Sequence, residues 1–83
     1  MIQQVRLFAR ARDLVGAEVA AVDLPEGATV ADLRKQLAVH FPVLQALLPR
    51  CALAVNDEFA DDSLPLPGET EVALLPPVSG GSQ

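Results

Sequence analysis

One segment near the middle of the chain restricts the possible folds more than any other. It alone repeats apolar residues at helical spacing over enough residues to form a long helix. In TVADLRKQLAVHFP, residues 29–42, the apolar side chains that recur three and four positions apart are Val30, Leu33, Leu37, Ala38 and Phe41. Thr29 suits the N-cap, Asp32 suits the first turn, and Pro42 disfavours continuation. With one long helix in 83 residues, most of the remaining core must come from strands.

The segments on either side of this helix alternate apolar and polar residues, which is typical of strands. The predicted strands are QVRLFAR (4–10), EVAAVDLP (18–25), CALAVN (51–56), EFA (58–60) and TEVALL (70–75). ARDLVGA predicts a short turn or a single helical turn ending at Gly16, and VLQALL (43–48) a short second helix. This order predicts an α+β fold of the β-grasp, or ubiquitin-like, type: a mixed sheet of about five strands with one main helix on one face.

A single long helix covers only one face of such a sheet, so the other face should be open. Phe8 lies opposite the core-directed Val5 and Leu7 in the first strand, and Leu75 lies opposite Leu74 in the last. The first and last strands of a β-grasp sheet are parallel neighbours at its centre, so Phe8 and Leu75 should share the open face, together with Phe59. An apolar cluster there indicates an interface, unless loop residues cover it.

Composition excludes several functional classes. Eleven acidic and six basic residues give a net charge of −5, which argues against nucleic-acid binding. Arg6, Arg10 and Arg12 lie close together near the N-terminus, where a solvated strand face and loop is the favoured interpretation. Cys51, the only cysteine, excludes an internal disulfide and is expected to be a buried, inert thiol. With no apolar run of about 20 residues and no signal-peptide pattern, we expect a reduced, cytoplasmic location without membrane contact.

The last residues of the chain differ in composition from the rest. This difference divides the chain into a folded domain (1–75) and a tail (76–83). Pro76 and Pro77 cannot donate ladder hydrogen bonds, so they end the last strand and favour a stiff, extended stem. The residues that follow are small apart from Val78: Ser79, Gly80 and Gly81. Extended, residues 76–81 reach about 20 Å.

A Gly-Gly tip can thread a narrow channel because it carries no Cβ atoms. A terminal glycine carboxylate could thus reach another protein's active site, be converted to an acyl adenylate and then, by a sulfur nucleophile, to a thiocarboxylate. On composition alone, a frayed terminus or an expression remnant is the favoured alternative.

Two longer motifs carry a family resemblance that covers about 81 residues. The opening MIQQVRLFARARDLVGAE and the final AVNDEFADDSLPLPGETEVALLPPVSGG resemble the small subunit of molybdopterin synthase, a β-grasp sulfur carrier of the MoaD/ThiS type. Gly-Gly alone is a weak signal. Pro-Pro-Val-Ser-Gly-Gly directly after the GETEVALL strand is a specific one.

The resemblance implies a non-catalytic, sulfur-donating subunit with no bound cofactor and no active site of its own. Gly81, preceded by Gly80, would be the functional terminus, adenylated by an ATP-dependent activating enzyme and thiolated by a sulfurtransferase or cysteine desulfurase. The tail would then enter the large catalytic subunit, in a heterotetramer, and deliver sulfur to cyclic pyranopterin monophosphate. Phe8, Phe59 and Leu75 would dock the partner, with residues 76–79 leading into it.

One departure from that family pattern is the Ser82-Gln83 dipeptide after Gly81. With these residues present, Gly81 carries an amide and cannot be adenylated. A processing protease could remove them, they could be a cloning remnant, or the chain could be a paralogue that no longer carries sulfur.

Other functions remain open at this stage. The chain could carry sulfur for thiazole or amino-acid pathways, modify lysines through Gly81 as a ubiquitin-like protein, or act as a plain interaction module. His40 is expected to be structural at the end of the main helix. The acidic residues between positions 57 and 62 lack an EF-hand pattern, so no metal site is expected.

Overall fold

A computed structural model describes residues 1–68 and 70–76. The strands are β1 (Ile2–Leu7), β2 (Val19–Asp23), β3 (Ala52–Val55), β4 (Glu58–Phe59) and β5 (Val72–Leu75), and the helices are α1 (Ala9–Val15) and α2 (Val30–His40). The strands form one sheet in the order β2-β1-β5-β3-β4. β1 and β5 are parallel at its centre, whereas the other neighbours are antiparallel. The predicted β-grasp arrangement is therefore confirmed.

Helix α2 begins and ends as its sequence predicts. Thr29 and Asp32 cap its first turn reciprocally: the Asp32 amide donates to Thr29 Oγ1 at 3.3 Å, and the Thr29 amide donates to Asp32 Oδ2 at 2.9 Å. Val30, Leu33 and Leu37 are fully buried against the sheet. The helical apolar period thus supplies one side of the core, and β1 and β5 supply the other through Val5, Leu7, Val72 and Leu74.

Two local predictions were wrong. Residues 9–15 form the helix α1, which starts earlier and is longer than the predicted turn or single helical turn, and β1 ends at Leu7, not Arg10. Phe8 is still extended, but Ala9 takes a φ of 52°, which turns the chain out of the sheet although the alternating pattern continues. The left-handed Gly16 (φ 81°) ends α1 as predicted.

The second short helix is α1, not the predicted segment 43–48. That region forms two 3₁₀ turns, Pro42–Leu44 and Leu48–Arg50. Each turn has a proline among its first residues, where a missing N–H is tolerated. The interval between Pro42 and Pro49 is too short to stabilise an α-helix of its own. Within the described ranges, no helix has both the length and the apolar character needed to cross a membrane.

Arg34 on α2 fastens this irregular region to the rest of the fold. Its guanidinium donates to the carbonyls of Leu48 and Cys51, the latter at 2.9 Å, and to Asp62 Oδ1 at 3.0 Å. Cys51, directly before β3, is buried as predicted. The start of β3 is therefore held in place from the helical side of the sheet.

Candidate functional site

The open face of the sheet is floored by small side chains at its centre. Ala73 on β5 is paired with Arg6 on β1 and with Ala54 on β3, and Ala54 is paired with Phe59 on β4. Cross-strand partners point to the same face, so these side chains form one row across four strands. Since the two central members are alanines, the side chains in the middle of the row project less far from the sheet than those at its two ends.

The middle of this row is the floor of a depression of about 200 Å³ on the open face. Its lining residues are Phe8, Ala54, Asp57, Phe59, Ala73 and Leu75. Phe59 is 75% exposed, Phe8 is 37% exposed and Leu75 is half-buried. The predicted sharing of one surface by Phe8, Phe59 and Leu75 is therefore confirmed, and we call these three side chains the apolar rim. Their contact with a partner stays a prediction.

Phe8 reaches the rim from outside any strand, as the extended N-cap residue of α1. The Arg6 guanidinium carbon lies 5.9 Å from the centroid of its ring, within cation–π range. Arg6 also lies 4.0 Å from a Glu71 carboxylate oxygen. Both Arg6 and Glu71 are exposed, so these contacts orient the rim more than they stabilise the fold.

Asn56 attaches the β3–β4 hairpin, which carries Phe59, to the last strand, β5. Asn56 and Asp57 have φ values of 51° and 70°, the left-handed pair that a tight two-residue hairpin requires and that the sequence predicts. The Asn56 amide donates to the Glu71 carbonyl at 2.8 Å, and the Glu71 amide donates to Asn56 Oδ1 at 3.2 Å. The turn is thus bonded to the residue that precedes β5, a role that sequence reasoning missed.

Gln3 positions the start of β5 from the side of β1, and sequence reasoning missed this role too. Its side chain is buried, and its Nε2 donates to the carbonyls of Gln4 at 2.9 Å and Thr70 at 3.0 Å. The available signal was a polar residue two positions before Val5, on the core side of an alternating strand. Gln3 and Asn56 therefore position β5, the strand that leads into the tail.

The tail leaves the sheet from its centre. Leu74 is paired with Leu7 near the end of β1, and Leu75 with Ala52 at the start of β3. Pro76 follows and is exposed, and it has no N–H for either neighbouring strand. The remaining tail residues predicted to act, Pro77, Val78, Ser79, Gly80 and Gly81, lie outside the described residues, as do Ser82 and Gln83.

The described residues hold no constellation suited to covalent catalysis. Burial raises the pKa of the Cys51 thiol, and the Arg34 charge offsets this only in part, so the sulfur is not activated as a nucleophile. His40 is exposed at the end of α2, where it was expected. Across residues 1–68 and 70–76, no three His, Cys, Asp or Glu side chains are grouped as metal ligands. The described part of the candidate site therefore consists of the apolar rim and the contacts that position β5.

Comparisons with known proteins agree with this geometry. The model of the ThiS family matches residues 5–81. The chain is 37% identical to the molybdopterin synthase sulfur carrier subunit of Arabidopsis thaliana over 94% of its own length and 81% of that protein. It is 38% identical to the subunit of the same name from Caenorhabditis elegans, over 94% of this chain and 95% of that one.

Two solved structures are similar over nearly the whole chain. The small archaeal modifier protein SAMP1 of Haloferax volcanii superposes with a TM-score of 0.83 at 29% identity, covering 98% of this chain and 100% of that one. A chain from the complex of subunits 1 and 2 of the molybdopterin-converting factor of Helicobacter pylori superposes with a TM-score of 0.67 at 29% identity, again covering 98% and 100%.

Proposed function

This chain belongs to the ThiS family, and we propose that it is the sulfur carrier and small subunit of a molybdopterin synthase. The observation that carries the proposal is the extent of the family match, which starts in β1 and runs through Gly81. It therefore includes the folded domain and the Gly-Gly tip together. The curated relatives bear the same function in their names over nearly the same length.

The proposed chemistry takes place at the carboxylate of Gly81. An ATP-dependent activating enzyme joins that carboxylate to AMP and releases pyrophosphate. The persulfide of a sulfurtransferase or cysteine desulfurase then attacks the acyl carbon and displaces AMP. A thiol reduces the resulting acyl disulfide and leaves the thiocarboxylate. Because these steps need ATP and free thiols, we place them in the reducing cytoplasm.

The described residues support the delivery step that follows. The tail starts at Pro76 from the centre of the sheet, beside the apolar rim, and not from a sheet edge. A partner that accepts the tail in a channel therefore meets the open face at the same time. We propose that the large catalytic subunit binds in this way, in a heterotetramer, and transfers the sulfur to cyclic pyranopterin monophosphate. The acid–base groups for that transfer belong to the large subunit.

The proposal requires a free carboxylate on Gly81. In the printed sequence Ser82 follows it through an amide bond. We therefore propose that a processing protease removes Ser82-Gln83 before activation. Two matched proteins test this step: the full chain and the same chain ending at Gly81.

The test is intact-mass spectrometry after incubation with the cognate activating enzyme, ATP and a persulfide donor. The chain ending at Gly81 should gain the mass difference between one sulfur and one oxygen atom, and only when ATP is present. The full chain should stay unchanged until it is trimmed. If the Gly81-terminated chain never gains this mass with its cognate enzymes, the sulfur-carrier function is wrong.

A second candidate is a ubiquitin-like protein modifier, favoured by the similarity to small archaeal modifier protein 1. In that function the activated Gly81 would form an isopeptide bond with a lysine of a target protein. Conjugates that survive reducing agents would support it. Their absence, together with a thiocarboxylate on the isolated chain, would favour the carrier.

A further inference from the structure

A second depression, of about 270 Å³, lies between α1 and the two 3₁₀ turns. Its lining residues are Arg10, Leu14, Val43, Ala46, Leu47 and Arg50. Leu14 and Leu47 are half-buried, and Val43 is 49% exposed. The depression therefore has an apolar floor with one arginine from α1 and one from the second 3₁₀ turn. We call Arg10 and Arg50 the basic pair.

The topology places the basic pair at the same end of the sheet as the start of the tail. Arg10 follows Leu7 by three residues, and Leu7 is paired with Leu74. Arg50 precedes Ala52 by two residues, and Ala52 is paired with Leu75. β1 and β3 lie on the two sides of β5, so the segments that carry the two arginines adjoin the same end of the sheet as Pro76.

The charge of the basic pair is opposite to that of the chain as a whole, which is −5. Two other arginines are neutralised locally: Arg6 lies 4.0 Å from Glu71, and Arg34 lies 3.0 Å from Asp62. Within residues 1–68 and 70–76, no ion pair involves Arg10 or Arg50. Two unneutralised guanidinium groups beside an apolar floor are suited to carboxylates that flank an apolar side chain.

We propose that the basic pair binds carboxylates of the large catalytic subunit at the mouth of the channel that receives the tail. This inference rests on the proposed function. When a stem of about 20 Å is fully inserted, the surface around its root lies against the rim of the channel. Residues at that end of the sheet, the basic pair among them, are therefore placed to meet the channel mouth. The pair would guide the tail to the channel before the apolar rim packs against the partner.

Charge reversal with a matched control tests the basic pair. Arg10→Glu and Arg50→Glu each change the net charge as much as Lys35→Glu, which alters an exposed lysine on α2 beside a different depression. Association of each protein, in the form that ends at Gly81, with the large subunit is measured by stopped flow at about 50 mM and about 500 mM salt. We expect the double reversal to slow association by about tenfold at low salt and to flatten the salt dependence. The charge-retaining Arg10→Lys, Arg50→Lys double variant should stay within about twofold of the native rate.

Every outcome of this experiment bears on one of the two proposals. If Arg10→Glu and Arg50→Glu slow association no more than Lys35→Glu does, the role of the basic pair is wrong and the proposed function stands. If the chain ending at Gly81, without these substitutions, does not associate with the large subunit at all, the proposed function is wrong and this inference falls with it. Thermal unfolding of each variant confirms that the fold is intact.

Discussion

The two faces of the sheet are built from the same strands but differ in burial, and adjacent residues on β5 show the contrast. Leu74 points toward α2 and is fully buried, whereas Leu75 points away and is half-buried. The helix-covered face is filled with branched aliphatic side chains. The open face has an alanine floor between Phe8 and Phe59. One four-residue strand therefore contributes to the buried core on one side and to the exposed apolar rim on the other.

The difference in burial indicates which interactions stabilise the fold. Burial of a leucine side chain contributes about 1.5–3 kcal/mol, so the core face supplies most of the hydrophobic stabilisation. Phe59 remains 75% exposed and gains little of this energy in the free chain. The proposed docking of the open face would bury this side chain.

The largest expected effect is a difference in the free energy of unfolding between alanine variants of Leu74 and of its neighbour Leu75. Leu74→Ala should lower the free energy of unfolding by about 2–5 kcal/mol, because it opens a cavity in a packed core. Leu75→Ala should cost less than about 1 kcal/mol, since its site is already partly hydrated. Urea unfolding of both variants measures the difference. Equal losses would show that the two faces are not distinct in stability.

The next effect concerns binding at the open face. Phe59→Ala should weaken the complex with the large subunit by about 1–2 kcal/mol or more, which is about tenfold in Kd. Its free energy of unfolding should change by less than about 0.5 kcal/mol. Val39→Ala on α2 is the control, because Val39 is exposed to a similar degree (66%) but lies on another surface. Titration calorimetry that gives one Kd for all three proteins would remove Phe59 from the interface.

A smaller effect tests the helix that covers the core face. Thr29→Ala removes the side-chain half of the reciprocal cap and should lower the free energy of unfolding by about 1 kcal/mol. Thr29→Ser retains the hydroxyl and should recover most of that loss. Binding of the large subunit by the folded protein should stay unchanged in both variants. A binding defect in Thr29→Ala would show that α2 and the open face are coupled.

The smallest effect is a pH dependence from Cys51. Burial raises the pKa of its thiol above that of the unfolded chain, so the folded state keeps the proton over a range in which the unfolded state releases it. The thiol's contribution to stability is complete below the unfolded pKa of about 8.5 and is lost as pH rises through the folded pKa. Cys51→Ala should flatten this alkaline decline in urea unfolding. An identical decline in the variant would assign it to other groups.

The sequence predicted the features that depend on local periodicity. The helical spacing from Val30 to Leu37, the cap at Thr29 and the alternating strands were readable because each depends on residues close in the chain. The same alternation placed Phe8, Phe59 and Leu75 on one face. It erred at Ala9, where one left-handed residue ends β1 while the alternation of side chains continues.

The long-range contacts of the site were not readable in this way. Gln3 and Thr70 are 67 residues apart, and Asn56 and Glu71 are 15 apart, yet these hydrogen bonds position β5. The basic pair is likewise assembled from two segments that only the sheet brings to the same end. Hydrogen-bond partners far apart in the chain leave no periodic trace, so composition and spacing do not reveal them.

By itself, then, the sequence determined the type and order of most elements, the polarity of each face and the small side chains at the chain's end, because these follow from side-chain spacing and backbone chemistry. The pairing register, which places Leu74 beside Leu7 and Leu75 beside Ala52, and the gathering of the basic pair at one depression came from the tertiary structure. The physical reason is that strand neighbours are selected by burial of the common core, which involves the whole chain at once.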